Sequence, residues 1–371
     1  MTGETLAFYV PWLTVGGVQR VTTTITNGLA ARGHDVDLVV SYQTGDLLDE
    51  VHSDVRIVDL QTPQIPGIGI GASLPALRTY LSRREPSMLF SQMTYANVLC
   101  LLARRLTNVD TQVFATEHNT FGMKDDLKER LTNRVAARMY PYADEVLAVS
   151  SGVADSVAAA TPLSRSEVTV MYNPVDVADV RARAAEPVDH PWLESDEHEV
   201  VLSVGRLAEA KDLETWLRAF AHIVERRPNA RGILAGRGPV REEMESLATE
   251  LGLEDVVDFP GFVDNPYGYM ADASVFMLSS RHEGLPTVLI EALACGCPVV
   301  STDCPSGPHE ILQGGEYGRL VDVGDEQALA DAVVQTLESP LSQEVLRERA
   351  DAFGLDTILD EYERFIRAHE D

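Results

Sequence analysis

The sequence predicts an α/β protein made of two parallel-sheet units in tandem. Short β-rich runs alternate with helical stretches along the 371 residues, as layers built from strand–helix–strand crossovers require. The rhythm breaks once, over 182–198, and then restarts. The length suits two cores better than one.

In the first half, residues 6–10, 36–41, 55–59, 88–91, 112–116, 145–149 and 168–171 read as strands, and the first helix runs from Gly17 to about Arg32. The break holds Glu186-Pro187-Val188-Asp189-His190-Pro191 and then Glu194-Ser195-Asp196-Glu197, a proline-punctuated, acidic linker. Strands resume at 200–204, 231–235, 256–259, 275–278, 299–302 and 319–321. In the last stretch, 357–369, Ile358, Leu359, Tyr362, Phe365 and Ile366 recur at helical spacing, so one face of that helix is expected to be buried. The expected division is 1–178, 198–345 and a terminal segment 346–371.

Hydrophobic residues make up 45% of the chain, yet no uncharged apolar run reaches the about 18 residues of a membrane span. Met1-Thr2-Gly3-Glu4-Thr5 lacks the basic and apolar regions of a signal peptide, so a cytoplasmic protein is expected. Four cysteines are present; Cys295 and Cys297 form C-x-C rather than C-x-x-C, and small buried thiols in a reducing compartment are expected. The net charge is −28, spread through a well-mixed sequence in which only Lys124, Lys128 and Lys211 are lysine. Such a surface suits molar salt, where charge is screened over about 3 Å, and points to a halophilic archaeal source. It argues against nucleic-acid binding.

Three segments could carry chemistry. Thr14-Val15-Gly16-Gly17-Val18-Gln19-Arg20 leaves the first strand where an open sheet binds ligands, and its glycines let backbone approach an anion at the helix start. It lacks the G-x-G-x-x-G pattern and the ribose carboxylate of a dinucleotide site, and a plain tight turn explains it equally well. Val204-Gly205-Arg206 through Lys211-Asp212 follows the first strand of the second unit. A forked guanidinium and an ammonium five residues apart can converge on one diphosphate, or Lys211 can simply pair with Glu209 or Asp212. In Ser279-Ser280-Arg281-His282-Glu283-Gly284-Leu285-Pro286-Thr287-Val288-Leu289-Ile290-Glu291, Pro286 suits the first helical position. Thr287 and Val288 would then offer unpaired amides at the positive helix end, with Glu283 before the helix and Glu291 inside it to grip hydroxyls.

Gly205-Arg206, Lys211, Glu283-Gly284-Leu285-Pro286 and Glu291 together resemble the signature of family 4 retaining glycosyltransferases of the GT-B fold. The likeness extends over Gly16-Gly17-Val18, Glu117-His118-Asn119, Val149-Ser150-Ser151-Gly152-Val153, Tyr172-Asn173-Pro174-Val175-Asp176, Ala235-Gly236-Arg237-Gly238-Pro239 and Ser301 to Pro308. The last run resembles members that extend lipid-linked or capsular glycans. The resemblance implies two Rossmann-like domains facing a cleft, with the terminal helix crossing back to the first. It implies that Arg206 and Lys211 neutralise the leaving diphosphate, Glu291 binds ribose, and Glu283 contacts the donor sugar. The amides of Gly284, Leu285, Thr287 and Val288 would meet sugar and phosphates, His118 would stand by the donor sugar or the acceptor, and Gly16 and Gly17 would close over the phosphates. Asn119, Asn173 and Gly236 fall in matching segments and are assigned to substrate binding.

No D-x-D pair stands at a strand end, so no metal or other cofactor is expected; the resemblance implies transfer of a hexose or N-acetylhexosamine from a UDP- or GDP-sugar to a glycan or phosphopolyprenol-linked acceptor. Residues 124–142 form a basic amphipathic pattern, with Leu127, Leu131, Val135 and Met139 on one stripe and Lys128, Arg130, Arg134 and Arg138 beside it. This is either a helix that meets anionic headgroups at the inner membrane face or an ordinary core-facing one. An epimerase of the same fold and a non-catalytic sugar-nucleotide-binding subunit are the rival functions.

Overall fold

A computed structural model describes residues 5–14, 16–63, 69–121, 127–195 and 197–370, with the side chains of Leu127 and Lys128 excepted. Val15 of the first glycine segment and Lys124 of the basic segment lie outside the described residues. The chain divides into two units, one formed by Met1–Pro174 with Leu355–Asp371 and the other by Val175–Gly354.

The strands of the first unit are β1 (Thr5–Tyr9), β2 (Asp35–Val40), β3 (Val55–Asp59), β4 (Met88–Gln92), β5 (Gln112–Glu117), β6 (Glu145–Ala148) and β7 (Val168–Val170). Those of the second are β8 (Glu199–Val204), β9 (Ala230–Ala235), β10 (Val257–Gly261), β11 (Val275–Leu278), β12 (Val299–Thr302) and β13 (Arg319–Val321). The sheets run β3-β2-β1-β4-β5-β6-β7 and β10-β9-β8-β11-β12-β13, and every strand pair is parallel. Both are doubly wound Rossmann-like sheets, as expected. Strand order reverses between β1 and β4 in one sheet and between β8 and β11 in the other, the point at which open parallel sheets bind ligands beyond the carboxyl ends of their strands.

Burial on both faces explains the apolar strands: every residue of β1, β4 and β11 is buried. In the first unit Phe8, Phe90 and Phe114 stack from strand to strand, with centroids 4.8 and 5.0 Å apart. The helix Leu355–His369 returns to this unit, in agreement with the expected crossover. Ile358, Leu359, Tyr362 and Ile366 are buried in its core, and the Phe365 ring meets that of Phe114 edge-on at 4.9 Å. Gly28 makes room for this helix, since a Cβ there would stand 2.4 Å from Leu359 Cδ1. Leu359→Ala is therefore expected to cost about 2–5 kcal/mol, read as a lower denaturation midpoint; an unchanged midpoint would mean the helix adds little to the core. In the second unit Trp216 and Phe220 stack at 5.2 Å over Gly232, where a Cβ would come within 2.8 Å of Trp216.

Two segments differ from expectation. Residues 177–178 were expected in the first domain and 182–184 in the linker, yet a helix Val177–Ala184 forms in the second unit because Asp176 accepts the Asp179 amide at 3.0 Å and Val177 and Val180 are buried. The helix Gln343–Asp351 also stays with the second unit, burying Leu346 and Ala350, so the crossover comes at 354–355 rather than 346.

Candidate active site

The two loops that flank the reversal in the second sheet follow β8 and β11, and they carry the residues singled out from the sequence. After β8 the chain turns through Gly205, whose amide donates to Ala235 O at 3.0 Å. Gly236 packs against it, and a Cβ on Gly236 would fall 1.8 Å from the Gly205 carbonyl oxygen. Arg206 follows, exposed and with no hydrogen bond or ion pair among the described residues. A short 3-10 turn, Glu209–Lys211, then brings the Lys211 side chain back over the turn, where a Cβ on Gly205 would lie 3.8 Å from Lys211 Cε.

Lys211 pairs with neither Glu209 nor Asp212. Its Nζ donates to Glu283 Oε1 at 2.6 Å, reaching the loop after β11. Ser280 Oγ donates to the same oxygen at 2.6 Å. The two loops are tied by Ser279 Oγ donating to Lys211 O at 2.7 Å and by the Arg281 amide donating to Ala210 O at 2.9 Å. Arg281 Nη2 donates to the buried Asp212 Oδ1 at 2.9 Å, and this pairing raises the guanidinium above its ordinary range. From the other side, Ser306 Oγ donates to Glu283 O at 2.5 Å and Thr302 Oγ1 to Ser280 O at 2.6 Å. Gly307, at φ +93°, lets Pro286 approach: a Cβ there would stand 2.3 Å from Pro286 Cδ.

The helix after this loop is Thr287–Cys295, and Pro286 is its N-cap rather than its first helical residue, because ψ of 87° takes Pro286 out of the helix. No side chain caps it. The Leu289 amide is taken by Pro286 O at 2.9 Å, while those of Thr287 and Val288 have no partner among the described residues. These amides are orphan donors at the positive end of the helix. Glu291 lies half-buried one turn on, and Gly284 and Leu285 are buried in the loop. Lys211, Glu283 and the loop leading to Thr287 thus form one hydrogen-bonded assembly beside Gly205-Arg206.

In the first unit, Gly16 precedes the helix Gly17–Ala31, which has no side-chain cap, and a Cβ on Gly17 would meet nothing within 4 Å. His118 follows β5 and is 7% exposed; Asn119 is exposed and Asn173 is buried. Sequence reasoning missed Gln92, whose Oε1 stands 2.5 Å from His118 Nε2. It also missed the acceptor role of Glu117, which receives Thr94 Oγ1 at 2.9 Å, Asn97 Nδ2 at 3.2 Å and the Tyr140 hydroxyl. Burial pushes the Glu117 carboxyl up to about 7. The only signals were polar residues ending apolar strands.

The four cysteines are buried and unpaired, and burial pushes the Cys295 and Cys304 thiols up to about 12, which keeps them protonated. No group of three or more His, Cys, Asp or Glu able to hold a metal ion occurs among the described residues. In the helix Leu127–Met139 the expected stripe does not face the core: Leu131 is 60% and Val135 41% exposed, while Ala136 is buried. The helix turns its short alanine side chain, not the leucine and valine, toward the unit.

Residues 15–179 match the family model Glycosyltransferase Family 4, and residues 187–353 match Glycosyl transferases group 1. The chain is 30% identical over 256 residues to an N-acetylgalactosamine-N,N'-diacetylbacillosaminyl-diphospho-undecaprenol 4-alpha-N-acetylgalactosaminyltransferase of Campylobacter jejuni, covering 68% of each protein. It is 27% identical over 349 residues, 92% of this chain and 90% of the relative, to a second Campylobacter jejuni protein, an alpha-1,4-N-acetyl-D-galactosaminyltransferase named for a diNAcBac-PP-undecaprenol acceptor. The crystal structure of Anabaena HepE in complex with UDP superposes with a TM-score of 0.81 at 21% identity, over 98% of this chain and all of that one.

Proposed function

The chain belongs to the glycosyltransferases that join a family 4 domain to a group 1 domain, and on that premise we propose that it is a retaining, metal-independent hexosyl- or N-acetylhexosaminyltransferase. Its donor is a UDP- or GDP-sugar and its acceptor a lipid-linked or polysaccharide glycan. One observation carries the proposal: at the reversal of the second sheet, Lys211 and Glu283 share a hydrogen-bonded assembly, next to Arg206, that leads into an uncapped helix start. The UDP bound by HepE and the undecaprenol acceptors in the names of the Campylobacter relatives support this chemistry.

In this reading Arg206, Lys211 and the Thr287 and Val288 amides stabilise the charge that grows on the diphosphate as the glycosyl bond breaks, the part a divalent ion plays elsewhere. Glu283, released from Lys211 as phosphate arrives, turns to the donor sugar, and Glu291 takes the ribose hydroxyls. Gly284 and Leu285 present backbone to the sugar, and Gly236 keeps the turn narrow. His118, Asn119 and Asn173 are assigned to binding of the donor sugar or acceptor, and Gly16 and Gly17 to binding of phosphate. The acceptor hydroxyl attacks the anomeric carbon on the face the diphosphate leaves, which takes the proton.

UDP-N-acetylgalactosamine with an undecaprenyl-diphosphate-linked glycan, in molar potassium chloride suited to the acidic surface, is the assay to run. The expected product keeps the donor's anomeric configuration by NMR, forms equally in EDTA, and appears only with acceptor. A donor altered without acceptor would establish the epimerase instead, and tight binding with no turnover over many donors and acceptors would establish a binding subunit.

The helix Leu127–Met139 supports a place at the inner membrane face. Exposed Leu131 and Val135 lie beside exposed Arg130, Arg134 and Arg138 in a chain of net charge −28, and this pairing of apolar and basic groups suits anionic headgroups. No helix among the described residues is long and apolar enough to cross a membrane. Flotation with anionic liposomes at working salt is expected to carry the wild type and leave Leu131→Asp/Arg134→Glu behind; equal flotation of both, or none, contradicts the contact.

A further inference from the structure

The two joined loops of the second unit each set a cation near a carboxylate, Lys211 and Asp212 after β8, Arg281 and Glu283 after β11. The ion pairs are crossed between the loops: Lys211 meets Glu283, and Arg281 meets Asp212. The two pairs are built differently. Lys211 holds one oxygen of Glu283 through a single ammonium, a contact in which a phosphate oxygen can replace the carboxylate. Arg281 faces both oxygens of Asp212, its Nη2 donating to Oδ1 at 2.9 Å and its Nε standing 2.9 Å from Oδ2. Thr215 Oγ1 also donates to Oδ2, at 2.8 Å. With both oxygens taken, Asp212 has little left to offer its chain neighbour, and Lys211 passes it over to reach Glu283.

Asp212 is held in place by its backbone. Its φ of +46° lies in the left-handed region that aspartate and asparagine tolerate, and it begins the helix Leu213–Arg226, whose Trp216 amide donates to Asp212 O at 3.2 Å. The Asp212 side chain is 2% exposed and that of Arg281 54%. A charge so buried is screened little even in molar salt. It stands one residue from the lysine assigned to the diphosphate. Left without a counter-ion, it would draw Lys211 to itself or oppose the incoming phosphates, and both weaken diphosphate binding.

We propose that Arg281 is a positioning residue for the donor: its two-point hold on Asp212 neutralises that carboxylate and keeps the Lys211 ammonium available to the pyrophosphate, while Arg281 itself touches no substrate. The inference rests on the placement of the pyrophosphate at Arg206 and Lys211 given above. The loops have other ties that do not involve the guanidinium. The Arg281 amide donates to Ala210 O at 2.9 Å and Ser279 Oγ to Lys211 O at 2.7 Å. Replacing the Arg281 side chain therefore removes its charge and leaves these ties.

Calorimetric titration of the full-length protein at working salt provides the test, with UDP, UMP and uridine, and with GDP, GMP and guanosine in parallel. Arg281→Met should lower the preference for diphosphate over monophosphate about fivefold or more, with nucleoside binding unchanged. Asp212→Asn/Arg281→Met removes the carboxylate as well, keeps an oxygen for Thr215 and suits the left-handed backbone. It should return the preference to within about threefold of the wild type. Asp212→Asn alone sheds a negative charge and should bind diphosphate at least as tightly as the wild type; it decides the matter if the methionine variants fail to fold. A double variant as weak as Arg281→Met would place Arg281 on the phosphates and overturn the proposal. So would an Arg281→Met protein with the full preference, one that loses nucleoside binding too, or an Asp212→Asn protein with weakened diphosphate binding. A wild type that prefers neither diphosphate would overturn the pyrophosphate site, and this inference with it.

Discussion

Replacing Lys211 with alanine is expected to slow glycosyl transfer about 10²–10³-fold, mainly in kcat, the loss typical of one preorganised group that meets charge in the transition state. The substitution also leaves the largely buried Glu283 carboxylate facing Ser280 without its cation. A bare carboxylate beside a departing diphosphate opposes the reaction. Lys211→Ala/Glu283→Gln should therefore lose less than the two single losses combined, since the groups act as a unit. Arg206→Ala should lower kcat to a similar degree with no change in melting temperature, because Arg206 is exposed and supports nothing else among the described residues. Steady-state rates with saturating donor, together with thermal melts, check both. A Lys211→Ala enzyme within threefold of wild type would remove that residue from the reaction.

Gly236→Ala is expected to be the most damaging single methyl group in the second unit. The position has φ +147°, and a Cβ would lie 1.8 Å from the Gly205 carbonyl oxygen. That atom is backbone and cannot swing aside, so the turns after β8 and β9 must separate. The backbone strain costs about 1–3 kcal/mol and the overpacking about as much again. The Gly236 amide donates to Gly261 O at 2.7 Å and the Gly205 amide to Ala235 O at 3.0 Å, so the displacement reaches Arg206. The variant should melt lower and gain little further stability from UDP. Gly17→Ala, whose Cβ meets nothing within 4 Å, is the control for the melting temperature alone.

The strands were legible because parallel strands buried on both faces leave a nearly unbroken apolar run, as in residues 6–9, 88–90 and 275–278. The terminal helix was legible for a related reason: five apolar residues at helical spacing need a core, and the first unit supplies it. Ends were harder. Val177–Ala184 is a helix because of its Asp176 cap, a local bond that the following prolines outweighed in the sequence. Pro286 sits one place before the helix it was expected to open.

The site was legible where types and spacing constrain chemistry, as at Gly205-Arg206 and the segment from Glu283 to Glu291. Pairings were not. Lys211 has carboxylates two residues before it and one after, yet bonds Glu283, 72 positions away, because β8 and β11 are neighbours in the sheet although two strands separate them in the chain. Gln92 was missed for the same reason: its partner, His118, directly follows the adjoining strand. The basic helix shows the converse limit. Its periodicity was plain, but the face a helix buries depends on what it packs against, and Ala136 rather than Leu131 faces inward.

The central claim is that Arg206, Lys211 and the first amides of the helix Thr287–Cys295 grip one pyrophosphate. Calorimetric titration of UDP, UMP and uridine into the wild type and into Arg206→Ala and Lys211→Ala tests it most directly. The claim predicts that UDP binds the wild type about tenfold or more tightly than UMP, that each substitution removes most of this difference, and that uridine binding is unaffected. A UDP-over-UMP preference that survives both substitutions would contradict it.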